Sequence, residues 1–180
     1  DLEELKLIFP RHLEVGVAFG ILKLPPTKSG VLIDVSMFRK EGSYSDFRRP
    51  DEVSKGTLET DCARRDFTIN ALYLDIFCKN GPSIIDGVGG LKDLKAKKIQ
   101  TVGVASARFS EDALRVLRAA RFSSQIGFSI ESKTKKAMKE CSVLVSKISR
   151  ERIREETMKG LGSSNPGLFL DTVFQSGLTE

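Results

Sequence analysis

The chain has 180 residues, 40% of them apolar and 29% charged, with 29 Lys and Arg against 24 Asp and Glu. That is enough chain for one domain with a sizeable core or for two small ones. No apolar run reaches the roughly 18 residues that a membrane-spanning helix needs. Three cysteines, Cys62, Cys78 and Cys141, show neither metal-ligand spacing nor even pairing, so they read as reduced thiols of a cytoplasmic protein.

The start, Asp1-Leu2-Glu3-Glu4-Leu5, is acidic and carries no signal-peptide pattern and no initiator methionine, so we expect a longer protein around this chain. Leu2, Leu5 and Ile8 predict a short helix that stops before Pro10. Residues 15–24 and 31–38 are apolar and β-branched, and the turn signal Pro25-Pro26-Thr27-Lys28-Ser29-Gly30 lies between them, which predicts a strand pair. Residues 39–56 are polar and contain Gly42, Pro50 and Gly56, a pattern expected of a long functional loop. A helix over about 58–73, a strand over 73–77 and a glycine-rich connector over 79–103 follow.

Beyond residue 105 the pattern turns helical. Ser110 can cap a helix whose first turn holds Glu111 and Asp112, as the helix dipole favours, and Gly127 ends it. Further helices fit 131–145, 149–161 and 166–176, the last with Asn165 as cap and Pro166 at its first position. The fold class is therefore α+β, with an α/β front half and an all-helical back half. Charge is divided as well. Lys and Arg number 9 against 10 Asp and Glu over residues 1–60, 11 against 7 over 61–130, and 9 against 7 over 131–180. A polyanion would dock downstream of residue 60.

Three groups of residues can carry chemistry. Asp34 sits among apolar neighbours in a predicted strand, either as an edge residue facing water or as an oxygen donor to Mg²⁺, and no second carboxylate lies at strand spacing from it. Arg64, Arg65, Asp66 and Asn70 suit a ligand with phosphate and ribose, because guanidinium forks grip phosphate oxygens and a carboxylate accepts from sugar hydroxyls. A local ion pair at a helix end is the plainer alternative. In the third group, Glu111 and Arg115 can form a helix-stabilising pair. Asp112 beside Arg115 also offers an acceptor and a donor that match the Watson–Crick edge of a base, with Arg118 and Arg121 repeating the step of three. The alternating charges of 149–156 read as a solvated or ion-paired helix face.

Taken together these segments resemble the class II tRNA nucleotidyltransferase (CCA-adding enzyme) and bacterial poly(A) polymerase family. Arg64-Arg65-Asp66-Phe67-Thr68-Ile69-Asn70 resembles its ribose-recognition motif, and Asp86-Gly87-Val88-Gly89-Gly90-Leu91 resembles its hinge motif. Glu111-Asp112-Ala113-Leu114-Arg115 resembles its base-templating motif, and Glu151-Arg152-Ile153-Arg154-Glu155 its neck-helix motif. Leu32-Ile33-Asp34-Val35 resembles the strand that bears a metal carboxylate.

The resemblance implies a polymerase-β-like head remnant over 1–83, a hinge over 84–104 and a helical neck over 105–180. It also implies that Asp34 is catalytic and binds one of two Mg²⁺ ions in the complete enzyme. Arg64, Arg65, Asp66, Asn70, Asp112, Arg115, Arg118 and Arg121 would bind CTP or ATP, and the 3′ end of tRNA would be the acceptor. The family's Asp-x-Asp metal motif does not occur in this sequence, so the 180 residues alone are expected to add no nucleotide. A poly(A) polymerase, a C-only or A-only relative, and a non-catalytic RNA-binding module are the alternatives.

Overall fold

The computed structural model describes residues 2–13, 21–44 and 50–178. Small antiparallel strand pairs are followed by helices, an α+β architecture. By contact the chain forms two compact units, Asp1–Lys40 with Ser54–Asp61, and Glu41–Val53 with Cys62–Glu180.

In the first unit, α1 spans Leu2–Ile8. Strands β1 (Ile21–Leu24) and β2 (Ile33–Ser36) pair antiparallel, with Lys23 opposite Asp34. The turn between them closes through Gly30 N–H to Thr27 O and Thr27 N–H to Val31 O. Residues 15–20 of the expected first strand lie outside the described residues. The expected loop over 39–56 contains two short strands, β3 (Arg39–Glu41) and β4 (Val53–Lys55), while its residues 45–49 lie outside the described ones. Backbone pairing rather than apolar alternation makes this hairpin: Gly42 N–H reaches Glu52 O and Asp51 N–H reaches Ser43 O.

The single helix expected over 58–73 is interrupted. Helix α2 ends at Ala63, a 3-10 turn occupies Thr68–Asn70, and β5 runs over Leu72–Asp75, paired with β6 (Ser83–Asp86). Two forces override helix propensity here. The Asp66 carboxylate accepts from the Phe67 N–H and the Asn70 amide, the local competition with helix that Asp commonly offers. Residues 66–68 also bond to 100–102, through Thr68 N–H to Gln100 O and Val102 N–H to Asp66 O.

The expected connector is structured. Asp86 caps it, accepting from the N–H groups of Val88, Gly89, Gly90 and Leu91. Burial works against this carboxylate's charge, but bonds from Leu91, Gly90, Val88 and Gly89 outweigh it and hold Asp86 below the usual carboxylate range. Helix α3 (Gly90–Lys95) then packs on the 3-10 turn so closely that a Cβ on Gly90 would lie 2.2 Å from Thr68 O. The Thr68 hydroxyl donates to Asp93 at 2.7 Å across the same contact. Strand β7 (Lys98–Ile99) pairs parallel with β8 (Ser129–Ile130).

The helical part is built around α5 (Leu114–Ile126), which α7 (Arg150–Leu161) and α8 (Pro166–Gln175) pack against. Helices α4 (Ala105–Glu111) and α6 (Ser132–Cys141) pack on each other. Ala119, Ala120, Ser123 and Ser124 are all buried on α5, small side chains that let neighbours approach on several sides. Phe67, Phe109 and Phe169 fill the core, each contributing about 1.5–3 kcal/mol by burial. Gly127 ends α5 at φ 68°, the left-handed conformation that glycine adopts without strain. Asn165 caps α8 through the Leu168 N–H, with Pro166 in the first turn. One helix was expected to begin at Ser110. Instead α4 starts at Ala105, and the chain is extended at Asp112 (φ −142°, ψ 101°) before α5 begins.

Candidate nucleotide-binding site

A cavity of about 550 Å³ in the second unit is lined by Arg64, Arg65, Asp66, Asn70, Asp112, Leu114, Arg115, Arg118, Phe122 and Arg152. Seven of the nine site residues expected from sequence thus share one cavity: Arg64, Arg65, Asp66, Asn70, Asp112, Arg115 and Arg118. The turn after α2 supplies the first four, and the break at Asp112 with the first turns of α5 supplies the rest.

The break explains how Asp112 is aimed. Its Oδ1 accepts from the Leu114 N–H at 3.1 Å, which holds the start of α5. Its Oδ2 accepts from Arg152 Nη2 at 2.8 Å. An ionised carboxylate offers about four lone-pair sites, so two remain for a ligand. Arg152 Nη1 is buried with no partner among the described residues.

Arg115 is held on three sides. Nη1 donates to Glu111 Oε2 at 2.7 Å and to Arg108 O at 3.0 Å, and Nη2 donates to Arg64 O at 3.0 Å. A guanidinium has five N–H donors, so the Nε–H and one Nη2–H are left over. Acceptor capacity on Asp112 and donor capacity on Arg115 are therefore unspent, and both residues line the cavity.

Asp66 is saturated. Oδ1 takes the Phe67 N–H and the Asn70 amide, and Oδ2 takes Arg118 Nε and Nη2 at 2.8 and 2.6 Å. A sugar hydroxyl at Asp66 must share a lone pair with one of these donors. The Arg118 guanidinium also lies 5.2 Å from the Phe122 ring centre, and that of Arg65 lies 5.4 Å from the Tyr73 ring centre.

Arg64 Nη1 pairs with Glu41 at 3.2 Å, and the other oxygen of Glu41 takes the Tyr44 hydroxyl. Burial, then the bond to Glu41, pushes the Tyr44 phenol up, so it stays a neutral donor.

Two expected residues are placed elsewhere. Arg121 is buried, donates to Glu156 and Gln125, and does not line the cavity. Asp34 belongs to the first unit, where Lys23 Nζ lies 3.1 and 3.4 Å from its two oxygens. Magnesium takes oxygen donors, usually carboxylates together with substrate phosphates. Among the described residues no group of three His, Cys, Asp or Glu could hold a metal. One carboxylate in contact with an ammonium does not fit a resident magnesium ion.

Sequence reasoning missed Arg152 and Arg108, and treated Glu111 only as a partner for Arg115. Arg152 lay in a segment whose alternating charges suggested a solvated or ion-paired face, and the structure makes it the ion-paired kind without the sequence naming Asp112 as the partner. The signal for Arg108 was its spacing of three to Glu111.

A family model described as poly A polymerase head domain matches residues 2–100. The chain belongs to the poly A polymerase head-domain family. A second model, described as a probable RNA and SrmB-binding site of polymerase A, matches residues 127–180. Asp112, Arg115 and Arg118 fall between the two matches.

Among relatives in this family, the CCA-adding enzyme of Lactobacillus delbrueckii subsp. bulgaricus is 45% identical over 180 residues, which is 99% of this chain and 44% of that protein. That of Latilactobacillus sakei is 46% identical over 175 residues, 94% of this chain and 42% of that protein. The crystal structure of the Bacillus stearothermophilus CCA-adding enzyme in complex with CTP is similar with a TM-score of 0.85 at 36% identity, covering 98% of this chain and 41% of that one. The Thermotoga maritima CCA-adding enzyme complexed with tRNA is similar at 28% identity and a TM-score of 0.76, covering 98% of this chain and 39% of that one. The chain thus spans less than half the length of these relatives.

Proposed function

We propose that the protein to which this chain belongs adds CMP and AMP to the 3′ end of tRNA, and that this chain selects the incoming CTP or ATP. Asp112 and Arg115 on one cavity support it most. Cytosine and adenine each present an amine donor beside a ring-nitrogen acceptor. The Asp112 carboxylate can accept from the amine, and Arg115 can donate to the ring nitrogen. Uracil and guanine present a carbonyl beside a ring N–H, which sets acceptor against carboxylate and donor against guanidinium. Each matched two-point contact discriminates by about 1–3 kcal/mol.

Arg64 and Arg65 then meet the phosphates, and Asp66 with Asn70 meets the ribose. For Arg64 this requires a phosphate to compete with Glu41. Residues 1–83 serve as part of a head, 84–104 as its connector and 105–180 as a neck. Asp34 would stand beside magnesium only in the whole protein, where further oxygen donors join it and Lys23 gives way. The resemblance to one enzyme solved with CTP and to another solved with ATP supports a pyrimidine as well as a purine substrate.

Equilibrium titration of the 180-residue chain with CTP, ATP, UTP and GTP tests the proposal. CTP and ATP should bind about tenfold tighter than UTP and GTP, the low-to-middle part of the range for one two-point contact. Equal affinities refute it, and binding of ATP without CTP favours poly(A) synthesis.

A further inference from the structure

We infer that Arg108 is a positioning residue for base selection, acting through Glu111 on Arg115; this rests on the nucleotide reading proposed above. Arg108 does not line the cavity. Its Nη1 donates to Ala63 O at 2.8 Å and its Nη2 donates to Glu111 Oε1. The other oxygen of Glu111 takes Arg115 Nη1, and Arg115 Nη2 reaches Arg64 O. Two guanidinium groups are thereby anchored on the consecutive carbonyls of residues 63 and 64, with one carboxylate shared between them.

Helix geometry does not supply this arrangement. Glu111 ends α4, the chain is extended at Asp112, and Arg115 belongs to α5. The Glu111–Arg115 spacing of four therefore crosses a break. Helix α4 has seven residues, too few to hold its own last turn without tertiary anchors. Arg108 supplies one such anchor by tying that turn to Ala63 O and fixing one oxygen of Glu111.

Without the Arg108 side chain, Glu111 keeps a single partner and can rotate, which leaves Arg115 to pivot on the carbonyls of Arg108 and Arg64. The two free donors of Arg115 would then lose their fixed direction toward the base edge. A base-reading group has to be held within about 0.5 Å and 10–20° to discriminate, so lost direction costs selectivity before it costs affinity for the shared phosphates and ribose.

The test measures CTP and UTP affinity for the 180-residue chain and for Arg108→Ala, Arg108→Lys, Glu111→Gln and the double variant Arg108→Ala/Glu111→Gln, with melting temperature alongside. A lysine can meet Glu111 or Ala63 O but lacks the planar fork that meets both. The affinity ratio of CTP over UTP should narrow about fivefold or more in Arg108→Lys and Glu111→Gln, as loss of part of a two-point contact implies. The melting temperature of Arg108→Lys should stay near that of the wild type. The double variant should narrow the ratio no further than either single change, because both act along one line of contacts.

If the wild type discriminates and both Arg108→Lys and Glu111→Gln keep its ratio, the inference is overturned while the nucleotide reading stands. A wild-type chain that binds CTP and UTP equally removes the nucleotide reading, and this inference with it. Should Arg108→Ala fail to fold, the two conservative variants decide the matter.

Discussion

Arg121 was expected from sequence among the nucleotide-binding arginines, yet its guanidinium is buried between α5 and α7. Its side chain is 10% exposed and that of its partner Glu156 is 4% exposed. Gln125 Oε1 takes a second bond at 2.7 Å, and the Phe122 ring centre lies 3.9 Å away. Replacing Glu156 with alanine leaves a buried cation with only a neutral amide and a ring as partners. Breaking a buried pair from one side costs about 3–5 kcal/mol. For a chain of this length each kcal/mol is about 2–4 °C, so the melting temperature should fall by roughly 6–20 °C. Replacing both partners by apolar groups, Arg121→Met with Glu156→Leu, should restore or raise it, since such swaps are neutral or stabilising by about 1–4 kcal/mol. Calorimetric melting combined with CTP titration checks both statements. A Glu156→Ala melting temperature within about 2 °C of wild type would refute the stability argument. Loss of CTP affinity in a well-folded double variant would show that Arg121 acts on the nucleotide after all.

Three more outcomes are expected. Asp112→Asn adds an amide donor opposite the base amine and should cut the preference for CTP over UTP about fivefold or more, with affinity for the triphosphate largely kept; an unchanged ratio removes Asp112 from base selection. Gly90→Ala places a methyl 2.2 Å from Thr68 O, which is backbone and cannot turn aside, so we expect destabilisation of about 1–3 kcal/mol in urea unfolding, and a wild-type midpoint would contradict the packing. Asp86 titrates lower in the folded state than unfolded, so its stabilising contribution is present above the unfolded value near pH 4 and is lost as pH falls through the folded value. The stability difference between wild type and Asp86→Asn should therefore shrink on acidification below about pH 4, and a difference independent of pH would show that the cap bonds do not favour the charged form.

The end of α5 and the start of α8 were legible because caps and stops are local chemistry: Gly127, Asn165 and Pro166 mark them without help from distant residues. The stretch 58–73 was not, because the tertiary bonds of residues 66–68 to 100–102 outweigh its helical pattern. Likewise the glycines of 87–90 read as part of a connector, whereas Asp86 gathers four of the segment's N–H groups into a cap and Gly90 permits contact with Thr68. In the cavity, the residue types of Asp112 and Arg115 were informative because a base edge needs an acceptor beside a donor. What holds those two side chains was less visible. Arg152 is 40 residues from Asp112 in sequence, and the carbonyl of Arg64 is 51 residues from Arg115. Backbone carbonyls carry no residue signature, so such partners emerge only from the fold.

A crystal structure of the chain with CTP bound is the most direct measurement. The cytosine amine should lie within hydrogen-bonding distance of the Asp112 carboxylate, and the ring nitrogen should face the Arg115 guanidinium. A base seated elsewhere, with these two side chains still bonded only to protein, would contradict base selection by this chain.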